Sequence, residues 1–209
     1  MRESYQKQLQ TLHTELIRMG AYCEEAIAYA IKGLLDDDAE LRRKALEMEE
    51  TINEKERAIE YFCIRLLLRE QPVARDLRQI TTAQKMIIDM ERIGDQATDI
   101  AEISAFMVGS AVKSDIHIAD MAAAAAKMLT DSVDSFVEGD IEKARRVIED
   151  DDLVDELFTK VKSELIEQIM KDSTKGGACL DLLMIAKYLE RIGDHAVNIA
   201  EAVVYSIEG

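Results

Sequence analysis

The chain has 209 residues, 48% hydrophobic and 33% charged, with one proline, nine glycines and no tryptophan. That profile belongs to long amphipathic helices and argues against turn-rich sheets. The net charge of −16 repels nucleic-acid phosphates and anionic lipid, and draws in metal cations and basic protein surfaces.

Cys23, Cys63 and Cys179 are odd in number and far apart, which excludes a disulfide framework or a zinc knuckle. They read as reduced, buried thiols of a cytoplasmic protein. No apolar run approaches the ~20 residues of a membrane span. The opening "MRESYQKQLQ" also lacks the apolar stretch of a signal peptide.

Ser4 is expected to cap a first helix to about Leu35, with Leu9, Leu12, Leu16, Met19, Cys23 and Ile27 spaced three or four apart. Asp36, Asp37 and Asp38 stop it and cap a second helix, from Ala39 to about Arg69. Gln71-Pro72 closes that helix, and the proline fits the first turn of a third, which frays near Gly109. The stretch "GSAVKSD" reads as a linker. A fourth helix follows from about Asp115 to Glu138, ending at Gly139, and Asp140 caps a fifth to about Lys171. "DSTKGG" breaks the chain before a sixth helix. "MAAAAAKML" at 121–129 is a strong helix former whose small side chains suit close packing.

The third and sixth helices carry nearly the same phrase. "ERIGDQATDIAE" (91–102) and "ERIGDHAVNIAE" (190–201) agree at nine of twelve positions. "DAELRRKALEMEETINE" (38–54) likewise lies over "DIEKARRVIEDDDLVDE" (140–156). The expectation is an all-α fold of six long helices, two tandem three-helix bundles made by duplication, over residues 1–110 and 115–209.

At 100° per residue, Met86, Met90, Ile93, Ala97 and Ile100 form a core stripe. Glu91, Asp95, Asp99 and Glu102 form a second stripe roughly opposite, as do Glu190, Asp194, Asn198 and Glu201 in the other copy. Like charges four apart on a helix repel, and only Arg92 and Arg191 stand where they can relieve Asp95 and Asp194. A cation explains the tolerance. Glu49 with Asn53, and Asp151 with Asp155, are aligned on the second and fifth helices and offer facing ligands. All-oxygen ligands suit iron, manganese, magnesium, calcium or zinc. Gly94 and Gly193 weaken their helices by ~1 kcal/mol each, which implies a close approach to the backbone. His195 reads as a capping or surface residue. An ordinary solvated acidic face explains the rows equally simply, and the duplication shifts the balance toward ion binding.

These residues resemble the PhoU-type phosphate-uptake regulators. The resemblance covers essentially the whole chain and rests on Glu91-Arg92-Ile93-Gly94-Asp95 and on Glu190-Arg191-Ile192-Gly193-Asp194 with the residues that follow to Glu201. "QPVARDLR" at 71–78 also looks like the family's lead-in to its third helix. The resemblance implies two similar three-helix bundles, no catalysis, and iron or zinc clusters held by Glu91 with Asp95, Glu190 with Asp194, and Asp151 with Asp155. Glu49 with Asn53 departs from the pattern through its amide. Asp99 compensates in the first half, where the second half has Asn198. The resemblance further implies a homodimer that restrains phosphate import and the starvation response. Its partners are then the ATPase subunit of a phosphate ABC transporter and a membrane sensor histidine kinase.

Two other readings compete. A ferritin-like dimetal oxidase needs two Glu-x-x-His motifs, and the residues three before His13, His117 and His195 are Gln10, Ser114 and Ile192. A ligand-free helical spacer is the other. No nucleotide-loop or hydrolase motif occurs in the chain.

Overall fold

The computed structural model describes residues 2–70 and 72–209. Among them every regular element is helical. The long helices are α1 (Arg2–Leu35), α2 (Ala39–Glu70), α3 (Ala74–Ser104), α4 (Ile118–Glu138), α5 (Ile141–Lys171) and α6 (Gly176–Glu208).

The ends follow local chemistry. Asp38 Oδ1 accepts from the backbone N–H groups of Glu40 (2.8 Å) and Leu41 (3.1 Å), so it caps α2. Asp140 accepts from Lys143 N at 3.0 Å and caps α5. Gly139 takes φ +67°, the left-handed turn that closes α4. Four boundaries differ from expectation. α1 already begins at Arg2, which puts Ser4 inside its first turn rather than at the cap. Pro72 stands ahead of α3, whose cap position is Val73 and carries no side-chain cap. α3 stops at Ser104, because a 3₁₀ turn at Ala105–Met107 intervenes before Gly109. A second such stretch, Ala111–Asp115, delays α4 to Ile118. Gln71 lies outside the described residues.

The connection between the halves is a packed element and not a loose linker. Val112 and Lys113 are buried. Lys113 Nζ donates to Leu34 O at the end of α1 (2.9 Å) and pairs with Asp37 Oδ1. Asp37 Oδ2 accepts from Gly109 N at 3.0 Å. Both oxygens of one carboxylate therefore hold the connection onto the α1–α2 turn.

Apolar stripes meet in one continuous core. Leu12, Leu16, Met19 and Cys23 of α1 are fully buried, as are Met86, Met90, Ile93, Ala97 and Ile100 of α3. Each half is a three-helix unit, but the halves share their inner layer. α1, α3, α6 and α4 each pack on two neighbours in a ring, α2 lies against α1 and α3, and α5 lies against α4 and α6. α3 and α6 run antiparallel: Lys85 sits over the Tyr205 ring, Asp89 meets His195 and Asn198, and Arg191 acts on Asp99. The two repeated phrases thus lie side by side along the α3–α6 seam.

Candidate metal centre

The crossing of α2 over α3 is set by Gly94. A Cβ there would stand 2.9 Å from Ile52 Cδ1 and 3.2 Å from Ile52 Cγ2. The duplicated crossing is looser, since Val154 replaces Ile52, and a Cβ on Gly193 would lie 3.5 Å from both Val154 Cγ1 and Asp151 Oδ1. The close approach expected at both glycines is found at the first, and the group that approaches is a packing side chain.

These crossings bring the facing carboxylates together. Burial first, then the charges of Asp95, Glu102 and Asp99, push the Glu49 carboxyl above its ordinary range. Glu91 is raised by burial and by Asp95, against the pull of Arg92, with Glu56 and Glu49 adding to the rise. Burial raises Asp95 although Arg92 and His195 oppose it. Asp99 rises through burial, Glu102 and Asp95, while Arg191 pulls it down. In the second half Asp151 is raised by burial and by Asp155, Asp194, Asp152 and Glu190. Asp194 is raised by burial and Glu190, with Lys187 opposing and Asp155 adding. Burial is the first cause of every rise, and crowding by other carboxylates adds to it in all but Asp95, because a carboxylate partly withdrawn from water and set among others ionises reluctantly.

The first row is not the wet outer stripe that helical periodicity suggests, whereas the second largely is. Glu91, Asp95 and Asp99 are half-buried beside α2, as are Glu49 and Asn53, whereas Asp194, Asn198 and Asp155 are exposed. Arg191 acts across the seam on Asp99 instead of on its own neighbour Asp194. Glu190 is relieved by an ion pair with Lys187, a partner the periodicity argument overlooked. Asn198 Nδ2 donates to Asp89 Oδ1 at 3.1 Å, so its amide is engaged with α3.

His195 neither caps nor lies on the surface. Its Nδ1 is 2.9 Å from Asp89 Oδ1, with side chains 14% and 19% exposed. The remaining histidines lie away from the acidic rows, and His13 Nε2 is buried without a hydrogen-bond partner. His117 Nδ1 faces Glu164 at 2.5 Å, and His13 stacks edge-on against Phe136 at 5.5 Å. Two acidic residues escaped sequence reasoning. Asp89 joins the halves, and Glu56 shares an open cleft of about 380 Å³ with Asn53, Arg57, Ile88 and Glu91. Internal repetition could not reveal them, because their counterparts are Tyr188 and Phe158.

The donor chemistry suits a hard cation, because the crowded groups are anionic oxygens. Thr98, which precedes Asp99 in the chain, has a buried hydroxyl oxygen without a hydrogen-bond partner. Among the described residues, no three histidine, cysteine, aspartate or glutamate side chains already converge into a ligand set. Binding therefore requires carboxylate rotamers to swing together.

The profile of the family described as PhoU domain matches residues 16–104 and 118–203. A Clostridium acetobutylicum protein named phosphate-specific transport system accessory protein PhoU homolog is 35% identical, over 100% of this chain and 96% of its own. The Escherichia coli phosphate-specific transport system accessory protein PhoU is 29% identical, over 98% of this chain and 86% of its own. The crystal structure of PhoU from Pseudomonas aeruginosa superposes with a TM-score of 0.90 at 32% identity, covering 98% of this chain and 99% of that one. Two matched repeats over a fold shared almost end to end place this chain in the PhoU family.

Proposed function

We propose that this protein is an accessory regulator of phosphate transport that carries metal ions where α2 crosses α3 and where α5 crosses α6. One arrangement supports the ion sites above the rest: the carboxylates of α3 face Glu49 on α2, and those of α6 face Asp151 on α5, so the acidic groups of each half crowd one another and ionise above their ordinary range. The regulatory reading rests on family membership and on the names of the relatives.

Glu49, Glu91, Asp95 and Asp99 are the ligands of the first half, with Asn53 and Thr98 as neutral oxygens beside them. Asp151, Asp155, Glu190 and Asp194 are those of the second. A bound iron or zinc cluster, or a manganese, magnesium or calcium ion, supplies positive charge that offsets the crowding. The residues themselves do the rest. Carboxylates contributed by two helices tie α2 to α3 and α5 to α6, and Asp89 with His195 carries the seam between the halves. A regulator built this way presents a face whose charge and shape follow its ion load.

In this reading the protein works in the cytoplasm without catalysis. It restrains import through the ATPase subunit of the phosphate ABC transporter and restrains the starvation response through a sensor histidine kinase. No helix of the described residues is long and apolar enough to cross a membrane. Deleting the gene and measuring phosphate uptake and phosphatase expression in high phosphate tests the proposal. Derepressed phosphatase and unrestrained uptake are expected, and unchanged regulation overturns it.

A further inference from the structure

Where the first turns of α3 meet the last turns of α4 and α6, the fold leaves a cavity of about 140 Å³. Arg75, Arg78 and Gln79 line its α3 side, while Phe136 of α4 and Val203 and Ile207 of α6 form apolar walls. The two arginines are its only charged lining residues. Acidic residues just beyond the rim are turned to other partners. Asp140, which follows Gly139, accepts from Lys143 N, and Glu208, which follows Ile207, pairs with Arg145.

The donors that face this cavity are unspent. Among the described residues Arg75 makes no hydrogen bond or ion pair, and neither arginine has a carboxylate partner. Other arginines of this acidic chain are neutralised close by, Arg18 by Glu15, Arg43 by Glu40 and Arg145 by Glu142. Ser206 lines the cavity at 7% exposure, and among the described residues its hydroxyl has no hydrogen-bond partner. A hydroxyl so buried finds a partner as a rule, so one that borders a cavity is served from inside it. Closing the end of α6 explains only part of the arrangement. Arg78 Nε donates to Ser206 O, and Gly209 lies against the guanidinium. That bond is 3.4 Å long, beyond a good N–H···O distance, and it uses one of the five guanidinium donors. Arg75 takes no part in it.

The lining chemistry selects the ligand. Guanidinium forks three residues apart on a helix are neighbours, and each can hold two oxyanion oxygens. A carboxylate presents one such edge, whereas a tetrahedral oxyanion presents an edge to each fork. Apolar walls lower the local dielectric and strengthen both contacts. Size excludes nucleotides and other drug-sized anions, whose pockets begin at ~300 Å³. Gln79 adds an amide oxygen that can accept from a P–OH group, a donor that sulfate lacks at neutral pH.

We propose that this cavity binds a small tetrahedral oxyanion of the phosphate class between Arg75 and Arg78, with Gln79 and Ser206 completing the contacts. Occupancy ties α3 of the first half to α4 and α6 of the second. About four turns of α3 separate Arg78 from Glu91, so the site is independent of the carboxylate rows and needs no metal.

Calorimetric titration of inorganic phosphate into the full chain, freed of metal by chelation and dialysis, tests it. The wild type is expected to take up one phosphate per chain, saturably. Arg75 is exposed and unpartnered, so Arg75→Gln is expected to weaken binding at least tenfold with helicity and phosphate-free Tm unchanged. Arg65→Gln, at an exposed position on α2, is expected to bind like the wild type. Glycerol 3-phosphate distinguishes the source of the ligand. Tighter binding than inorganic phosphate identifies a phosphomonoester group, equal or weaker binding identifies the free anion, and either upholds the site. A wild type without saturable uptake overturns the proposal. So does an Arg75→Gln chain that binds as tightly as the wild type, or an Arg65→Gln chain weakened as much as Arg75→Gln.

Discussion

Asp89 of α3 holds His195 of α6 at 2.9 Å and, through the same oxygen, Asn198 at 3.1 Å. One carboxylate so gathers two residues of the second repeated phrase and fastens the halves to each other. Asp89→Ala removes both contacts and leaves the imidazole partly buried beside Asp95 with a poorer partner. A lost charge-assisted bond of this burial contributes about 1–2 kcal/mol. The expected outcome is a Tm lowered by about 2–8 °C for a chain of this size, with helicity retained in the folded state. An unchanged Tm would show the contact to be incidental.

The acidic rows set a pH dependence of definite sign. Glu49, Glu91, Asp95, Asp99, Asp151 and Asp194 all ionise above their ordinary range in the folded chain. A raised carboxyl destabilises the fold above its folded pKa and stops doing so below its unfolded value, near pH 4. In the presence of chelator, these groups therefore contribute a gain in stability as pH falls through their raised pKa values toward about 4. Solvent screening keeps each contribution to a few tenths of a kcal/mol. Asp95→Asn is expected to flatten that part of the Tm-against-pH curve and raise the neutral Tm by ~1 °C. A neutral Tm that falls on this substitution contradicts the crowding account.

The twin glycines divide by their neighbours. Gly193→Ala meets only ordinary contacts and relieves a helix-interior glycine, so a gain of about 1 kcal/mol is expected. Gly94→Ala forces Ile52 to move, and overpacking of about 1–3 kcal/mol offsets that gain. Urea denaturation is expected to place the first variant above the wild type and the second at or below it. The reverse order would show that the crossings are not packed as described.

The α1–α2 turn gives a fourth stability test. Lys113 is buried at Leu34 O and Asp37. Lys113→Met keeps the apolar stem but strips the end of α1 of its donor, and a lower urea midpoint with an unchanged slope is the expected result. Equal midpoints would mean that the connection between the halves is held by Val112 packing alone.

The helices were legible because their signals are local. Asp38 and Asp140 cap where a short side chain ahead of an apolar period predicts, and Met86, Met90, Ile93, Ala97 and Ile100 line up on the buried face. Pairing of the rows with Glu49 and Asp151 was also legible, since duplication preserves the helix crossings along with their residues. What stayed hidden depends on the antiparallel meeting of α3 with α6. Helical periodicity treats α3 alone, so it cannot show that Arg191 reaches Asp99, that His195 reaches Asp89, or that Asn198 is drawn to the seam. Lys113 was hidden for a related reason, because its partner is the free end of another helix 79 residues away.

The most direct measurement of the ion-site account is elemental analysis of the natively purified protein beside a Glu91→Ala, Asp95→Ala, Glu190→Ala, Asp194→Ala variant, with helicity recorded for both. At least one metal ion per wild-type chain is expected, with most of it lost in the variant while the helical signal stays nearly intact. A wild type that holds no metal after growth and purification with abundant iron, zinc and manganese, or a variant that keeps its full load, would contradict it.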